Sequence, residues 1–126
     1  MKTIVVSFLM TALAVPAGAA ESAGVEGKWS VSASIAGNDS QSVCTFIQKD
    51  STLSGNCDGR TGMVAIRGRV EDKNVSWSFK SQYDGAPLTV SYAGTVEVVN
   101  GTPRITGSVE VPEFGVTGTF TAAPVK

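Results

Sequence analysis

The side chains able to carry out chemistry are few in this 126-residue sequence. Histidine is absent, so the commonest general base near neutral pH and the commonest metal ligand are both missing. Catalysis would therefore depend on tyrosine and carboxylates, and the candidates are Tyr92, Asp58 and Asp84. A buried Tyr92 could donate a hydrogen bond or a proton to a carbonyl or epoxide oxygen. We predict no metal site and no cofactor.

The first twenty residues have the pattern of an export signal. Lys2 precedes an apolar run from Ile4 to Val15, and the small residues 17–20 then provide a cleavage site. The run is too short for a spanning helix, so no membrane span is expected. We therefore predict a bacterial signal peptide over residues 1–20, a single domain over residues 21–126, and a periplasmic or secreted location.

Two cysteines, Cys44 and Cys57, are present in this exported chain. Oxidising compartments favour disulfides, and a metal site would need two more ligands, so the pattern predicts one Cys44–Cys57 bridge. The net charge is −1, and no block of like charge occurs. Nothing therefore indicates a nucleic-acid partner, whereas a protein partner stays open.

Residues after the signal show alternating short runs rich in Val, Thr, Ser and Ile, with turn residues between them. Short connections make consecutive strands antiparallel neighbours. The predicted strands are Lys28–Ile35, Ser42–Gln48, Thr52–Cys57, Met63–Val70, Asn74–Ser81, Leu88–Val98, Pro103–Val111 and Phe114–Ala122. The first turn is predicted at residues 37–39.

The turn positions predict which residues face one another. A hairpin centred on Asp50-Ser51 places Cys44 opposite Cys57 and Phe46 opposite Gly55, within disulfide reach. One centred on Asp72-Lys73 places Trp77 opposite Gly68. Asn100-Gly101, a preferred type I′ pair, places Gly94 opposite Gly107, and a turn at Pro112-Glu113 places Gly107 opposite Gly118.

The recurring strand glycines have two readings. They could permit tight coiling into a closed barrel, with Phe46 and Trp77 covering them, or they could leave room for a ligand. One face of the predicted strands is apolar and the other is rich in hydroxyls. An eight-stranded up-and-down β-barrel satisfies both patterns, because closure removes exposed edges, and its interior is either filled or holds one small ligand.

Gly27-Lys28-Trp29 opens the first predicted strand. This sequence resembles the G-x-W start shared by the calycins, the lipocalin, fatty-acid-binding and avidin barrels. The strand count and Leu53-Ser54-Gly55 in the third strand are similar to the avidins. The resemblance implies an all-β barrel with a ligand in its lumen. Avidins carry several ligand-stacking tryptophans, whereas this chain has Trp29 and Trp77. Bacterial periplasmic metalloprotease inhibitors are also small disulfide-bonded barrels with an early G-x-W.

Alternate loops of a meander share one end of the barrel, and binding sites favour barrel mouths. The end with Asn38-Asp39, Asp58–Arg60, Tyr83–Gly85 and Glu113-Phe114 offers more polar groups than the end with the tight turns. We therefore expect a binding protein for a small, mostly apolar molecule. The predicted ligand-binding residues are Trp77, Tyr92, Phe46, Trp29, Phe79, Tyr83 and Arg60.

Two other functions stay open at this point. The first is a cofactor-independent isomerase, cyclase or lyase that uses Tyr92 and a carboxylate from Asp58 or Asp84. The second is a protease inhibitor or other interaction module with a solid barrel. A buried Tyr92 hydroxyl also needs a partner, and Gln48, which the Cys44 register turns inward, is the predicted one.

Overall fold

The computed structural model describes residues 24–59 and 62–125. The predicted signal peptide and Arg60 lie outside these residues. Eight antiparallel strands follow in chain order and close into a barrel, because β1 pairs with both β2 and β8. The bounds are β1 Gly27–Ile35, β2 Asn38–Lys49, β3 Thr52–Gly59, β4 Gly62–Glu71, β5 Asn74–Tyr83, β6 Ala86–Val99, β7 Thr102–Val111 and β8 Val116–Pro124. The predicted meander barrel is confirmed.

Three of the four predicted hairpin registers are confirmed. Cys44 faces Cys57, and these residues form a disulfide with an S–S distance of 2.01 Å and a Cα–Cα distance of 3.9 Å. Gly68 faces Trp77, and Gly94 faces Gly107. The turn residues were sufficient here because a two-residue hairpin loop leaves one possible pairing of its strands.

The prediction for the first turn was wrong. Ala36 and Gly37 form it, with φ of 53° and 82°, and β2 begins at Asn38 rather than at Ser42. Asn38 pairs with Ile35 as part of the ladder. A type I′ turn needs two successive residues with positive φ, and an alanine at the first of these positions gives no such indication in the sequence.

The predicted register of the last hairpin was also wrong. Gly107 faces Phe120, not Gly118, and β8 begins at Val116 rather than at Phe114. Residues Pro112–Phe114 form one turn of 3-10 helix that ends at Gly115, whose φ is 65°. The Gly115 N–H donates to the Pro112 carbonyl at 3.1 Å. This turn lengthens the loop to four residues, so each β7 residue pairs with a β8 residue two positions further along the chain than predicted.

The strand glycines allow neighbouring strands to approach closely. At each of five positions an added Cβ would overlap a backbone carbonyl oxygen of the adjacent strand: Gly55, Gly68, Gly94, Gly107 and Gly118. The structure therefore supports the packing reading of these glycines. Three of them lie directly opposite an aromatic residue, in the pairs Phe46–Gly55, Trp77–Gly68 and Phe120–Gly107. The rings fill the space above the glycines, as in aromatic rescue.

One end of the barrel, which we name the closed end, carries the tight turns at residues 50–51, 72–73 and 100–101. Val25 fills it and is fully buried. The Val25 N–H donates to Oε1 of Gln48 at 2.8 Å, and the Val25 carbonyl accepts from Nε1 of Trp29 at 2.9 Å. Both backbone groups of the plugging residue are thus paired, as buried polar groups require.

No helix within residues 24–59 and 62–125 has the length and apolar character needed to cross a bilayer.

Candidate functional site

The opposite end of the barrel, which we name the mouth, contains a cavity of about 360 Å³. It lies beside the turns at residues 36–37 and 84–85 and the 3-10 turn before β8. Most of its wall is aliphatic or aromatic, and the polar contributions come mainly from β2. The lining residues are Ile35, Ala36, Asn38, Ser40, Tyr83, Leu88, Val90, Val111, Phe114 and Val116. This volume falls within the range of small-molecule pockets, roughly 300–1,000 Å³.

An aromatic cluster fills the lumen toward the closed end. The Trp77 and Tyr92 rings are stacked, with centroids 4.8 Å apart and planes 9° apart. Phe46 and Phe120 contact the Trp77 ring at 4.9 and 5.3 Å, and Trp29 lies beyond Phe46 at 6.5 Å. All five are buried. The lumen is therefore packed in this half, and the mouth half is the part of the lumen that has space for a ligand.

Two exposed aromatic side chains lie at the rim of the mouth. Tyr83 at the end of β5 and Phe114 in the last loop meet edge to face, with ring centroids 5.8 Å apart and planes at 78°. Their exposed fractions are 63% and 47%. Both line the cavity, so an apolar occupant would bury part of this exposed aromatic surface.

The carboxylate of Glu113 fixes the loop that carries Phe114. Its Oε1 accepts a hydrogen bond from the Thr89 N–H at 2.9 Å, at the part of β6 that does not pair with β7. This hydrogen bond, helped by the positive charge of Lys80, lowers the pKa of the Glu113 carboxyl. We name this contact the rim latch, since it ties the rim loop to the barrel wall.

Tyr92 provides a polar group inside the lumen. Its side chain is buried, and burial raises the pKa of its hydroxyl. No described residue hydrogen-bonds this hydroxyl, so the predicted Gln48 partner was wrong: Gln48 instead accepts from the Val25 N–H and donates to the Asp50 carbonyl. Among the described residues, Nε1 of Trp77 is the fully buried side-chain polar atom that has no hydrogen-bond partner.

The structure brings some of the predicted site residues together and separates others. Trp77, Tyr92, Phe46 and Phe79 share the lumen, and Tyr83 lies at the rim. Trp29 lies at the closed end, where its indole N–H binds the Val25 carbonyl. Asp58 is exposed on β3, and Asp84 lies in an exposed turn with φ of 51°. Neither carboxylate lines the mouth cavity.

Several lining residues were not singled out by the sequence. Leu88, Val90 and Val116 were predicted to face inward by alternation, but nothing distinguished them from the rest of the core. Asn38 was placed at this end of the barrel but in a loop, and Ser40 was not considered, because the misplaced first turn left both outside the predicted second strand. Phe114 was also placed at this end, but at the start of the last strand instead of in the rim loop. None of the three was named as a ligand contact. Correct loop lengths would have identified these three positions.

The residues that the structure describes contain no group of three or more side chains suited to holding a metal ion.

Comparison with known proteins supports the architecture. No family model and no curated protein matches the sequence. Among solved structures, the chain is similar to rhizavidin, with 16% sequence identity, a TM-score of 0.50, and coverage of 77% of this chain and 84% of that chain. At this identity the likeness concerns the fold. The protein thus has a calycin-like, avidin-type eight-stranded barrel with one disulfide.

Proposed function

We propose that this chain is an exported binding protein that holds one small, mostly apolar molecule in the mouth half of its barrel. The observation that carries the proposal is the cavity of about 360 Å³ above the aromatic cluster, with a wall that is mainly apolar. A solid barrel acting only through its surface would have no need of such a space. The barrel of rhizavidin supports the fold on which this proposal depends.

The polar groups of the cavity are arranged to orient a bound ligand rather than to catalyse its conversion. Asn38 and Ser40 contribute to one wall of the cavity, and the buried Tyr92 side chain lies in the lumen with no hydrogen-bond partner for its hydroxyl among the described residues. A few polar groups in an apolar pocket are typical of a site that selects the orientation of its ligand. Proton transfer by Tyr92 would need a second titratable group, and no carboxylate among the described residues lines this cavity. Binding is therefore favoured over isomerase or lyase activity.

Export is part of the same proposal. The Cys44–Cys57 disulfide suits an oxidising compartment, and the signal pattern of residues 1–20 supports a periplasmic or secreted location. Trp77, Tyr92, Phe46, Phe79 and Tyr83 remain proposed contacts, the first three as the floor below the ligand. Trp29 contributes indirectly, by fixing the closed end.

The proposal can be tested with N-phenyl-1-naphthylamine, a neutral apolar fluorophore. We expect saturable binding with increased emission. Val90→Phe should weaken binding at least about tenfold, since the larger ring occupies the cavity and overpacking is poorly tolerated. Val43→Phe is the matched control: it adds the same ring at a position that is 40% exposed, and it should leave the affinity unchanged.

Failure of the wild-type chain to bind this fluorophore, or full affinity in a folded Val90→Phe variant, would overturn the mouth site. Mass spectrometry of small molecules that co-purify with the exported chain would then identify the natural ligand. A co-purified molecule that the chain converts, with conversion abolished in Tyr92→Phe, would instead establish an enzyme.

A further inference from the structure

The barrel wall has a side split between β4 and β5. Their pairing runs from Glu71–Asn74 to Arg67–Ser78 and stops there, although β4 extends back to Gly62 and β5 continues to Tyr83. Residues 62–66 and 79–83 pair on their other sides with β3 and β6. No backbone hydrogen bond joins these two segments. We name this gap the side split.

The side split exposes the lumen. Val64 and Phe79 point inward by alternation, yet both are only half-buried. Val70 and Val75, which face inward where the same two strands do pair, are 0% and 1% exposed. The difference arises because unpaired strands separate, and separation opens the wall between them.

A second cavity, of about 340 Å³, lies at the narrow end of the side split. Its lining residues are Ala65, Ile66, Arg67, Ser78, Phe79 and Lys80. Phe79 pairs across strands with Val90, which lines the mouth cavity. One lining residue of each cavity thus belongs to the same cross-strand pair, so the two cavities are neighbours along the barrel wall.

The charged side chains that line this second cavity are both positive. Arg67 makes no salt bridge with any described residue, whereas Arg69, on the same face of β4, is held by Glu71 at 2.8 Å. Nζ of Lys80 donates to Oγ1 of Thr89 at 3.3 Å, and its charge also acts on the Glu113 carboxylate of the rim latch. Among the described residues that line this cavity there is no carboxylate. Two cations beside an apolar wall form a site for an anionic group.

We infer that the ligand of this protein is an anionic amphiphile. Its apolar body occupies the mouth, and its single carboxylate or similar acidic group emerges through the side split, where Arg67 and Lys80 bind it. This inference rests on the proposed function and specifies the chemical class of the ligand. A free acid group at this position keeps contact with water, so it avoids the cost of a buried charge.

Two related probes test the inference. 8-Anilinonaphthalene-1-sulfonate carries the same ring system as N-phenyl-1-naphthylamine with a sulfonate added. The wild-type chain should bind the sulfonate about tenfold more tightly, since each exposed cation contributes about two- to fivefold. Arg67→Gln, which leaves Lys80 and the rim latch in place, should reduce this preference about two- to fivefold while leaving the affinity for the neutral probe unchanged. Raising the salt concentration should weaken only sulfonate binding.

Arg69→Gln is the matched control. It removes the same charge from the other end of the same strand, so it should retain the full preference for the sulfonate. Equal wild-type affinity for the two probes, or a full preference that survives in Arg67→Gln, would overturn this inference and leave the mouth site intact. A wild-type chain that binds neither probe would overturn both.

Discussion

The closed end and the mouth of this barrel are built from the same eight strands with the same alternation, yet one is packed and the other is open. At the closed end the lumen contains Val25 and large rings, and both backbone groups of Val25 are hydrogen-bonded. At the mouth a cavity of about 360 Å³ is left.

The type of inward-facing side chain explains the difference. In the packed half, Phe46, Trp77 and Phe120 lie opposite glycines, so each ring has room to extend across the lumen. In the mouth half, residues such as Leu88 and Val90 face inward and are too short to meet at the centre. The same eight strands can therefore enclose a packed core at one end of the barrel and a binding site at the other end.

The largest expected effect is the loss of an aromatic ring from the packed half. Trp77→Ala should lower the free energy of unfolding by about 3–5 kcal/mol, because the Trp77 side chain is 2% exposed and its removal leaves a large cavity. Val90→Ala, at the mouth, should cost about 1–2 kcal/mol. Urea denaturation measures both, and equal losses would contradict the division into two halves.

The next effect is that of the disulfide. Cys44→Ala/Cys57→Ala should lower the free energy of unfolding by about 2–3 kcal/mol, since the bridge spans 13 residues and short loops give the smaller stabilisation. Reductant should lower the melting temperature of the wild-type chain and leave that of the double variant unchanged. A wild-type melting temperature that does not respond to reductant would argue against this contribution.

A substitution at the closed end should lower the stability of the barrel by a smaller amount without changing ligand binding. Gln48→Leu removes the acceptor of the buried Val25 N–H, so it should lower the free energy of unfolding by about 1–3 kcal/mol. The closed end is remote from the mouth, and the affinity for N-phenyl-1-naphthylamine should stay within about twofold of wild type. A large loss of affinity in this variant would show that the two ends are coupled.

The smallest expected effect concerns the rim latch and pH. The Thr89 N–H lowers the pKa of Glu113 in the folded chain, so the latch contributes stability above the ordinary glutamate pKa of about 4.3. That contribution is lost as the pH falls through the lowered pKa of the folded state. The Thr89 amide resonance in NMR spectra should therefore titrate below about pH 4.3.

Glu113→Gln should abolish this titration of Thr89. Glu110→Gln should leave it unchanged, because Glu110 is an exposed carboxylate on β7 that pairs with Ser91, whereas the Thr89 N–H donates to Glu113. A Thr89 resonance that titrates at or above the ordinary glutamate pKa would contradict the latch.

The sequence determined the features that depend on neighbouring residues. Alternation identified the inward faces, and the turns at Asp50-Ser51, Asp72-Lys73 and Asn100-Gly101 placed Cys44 opposite Cys57, Gly68 opposite Trp77, and Gly94 opposite Gly107. These results were predictable because a short turn between two strands fixes their register through local backbone geometry.

Tertiary structure decided the rest. The positive φ of Ala36 and the 3-10 turn at Pro112–Phe114 depend on the strands that these turns connect, and together they brought Asn38, Ser40 and Phe114 to the cavity. The side split depends on closure of the whole barrel, since the segments of β4 and β5 that border it each pair with the strand on their other side. Closure and curvature sum over all eight strands, so no local segment of sequence encodes where the wall opens.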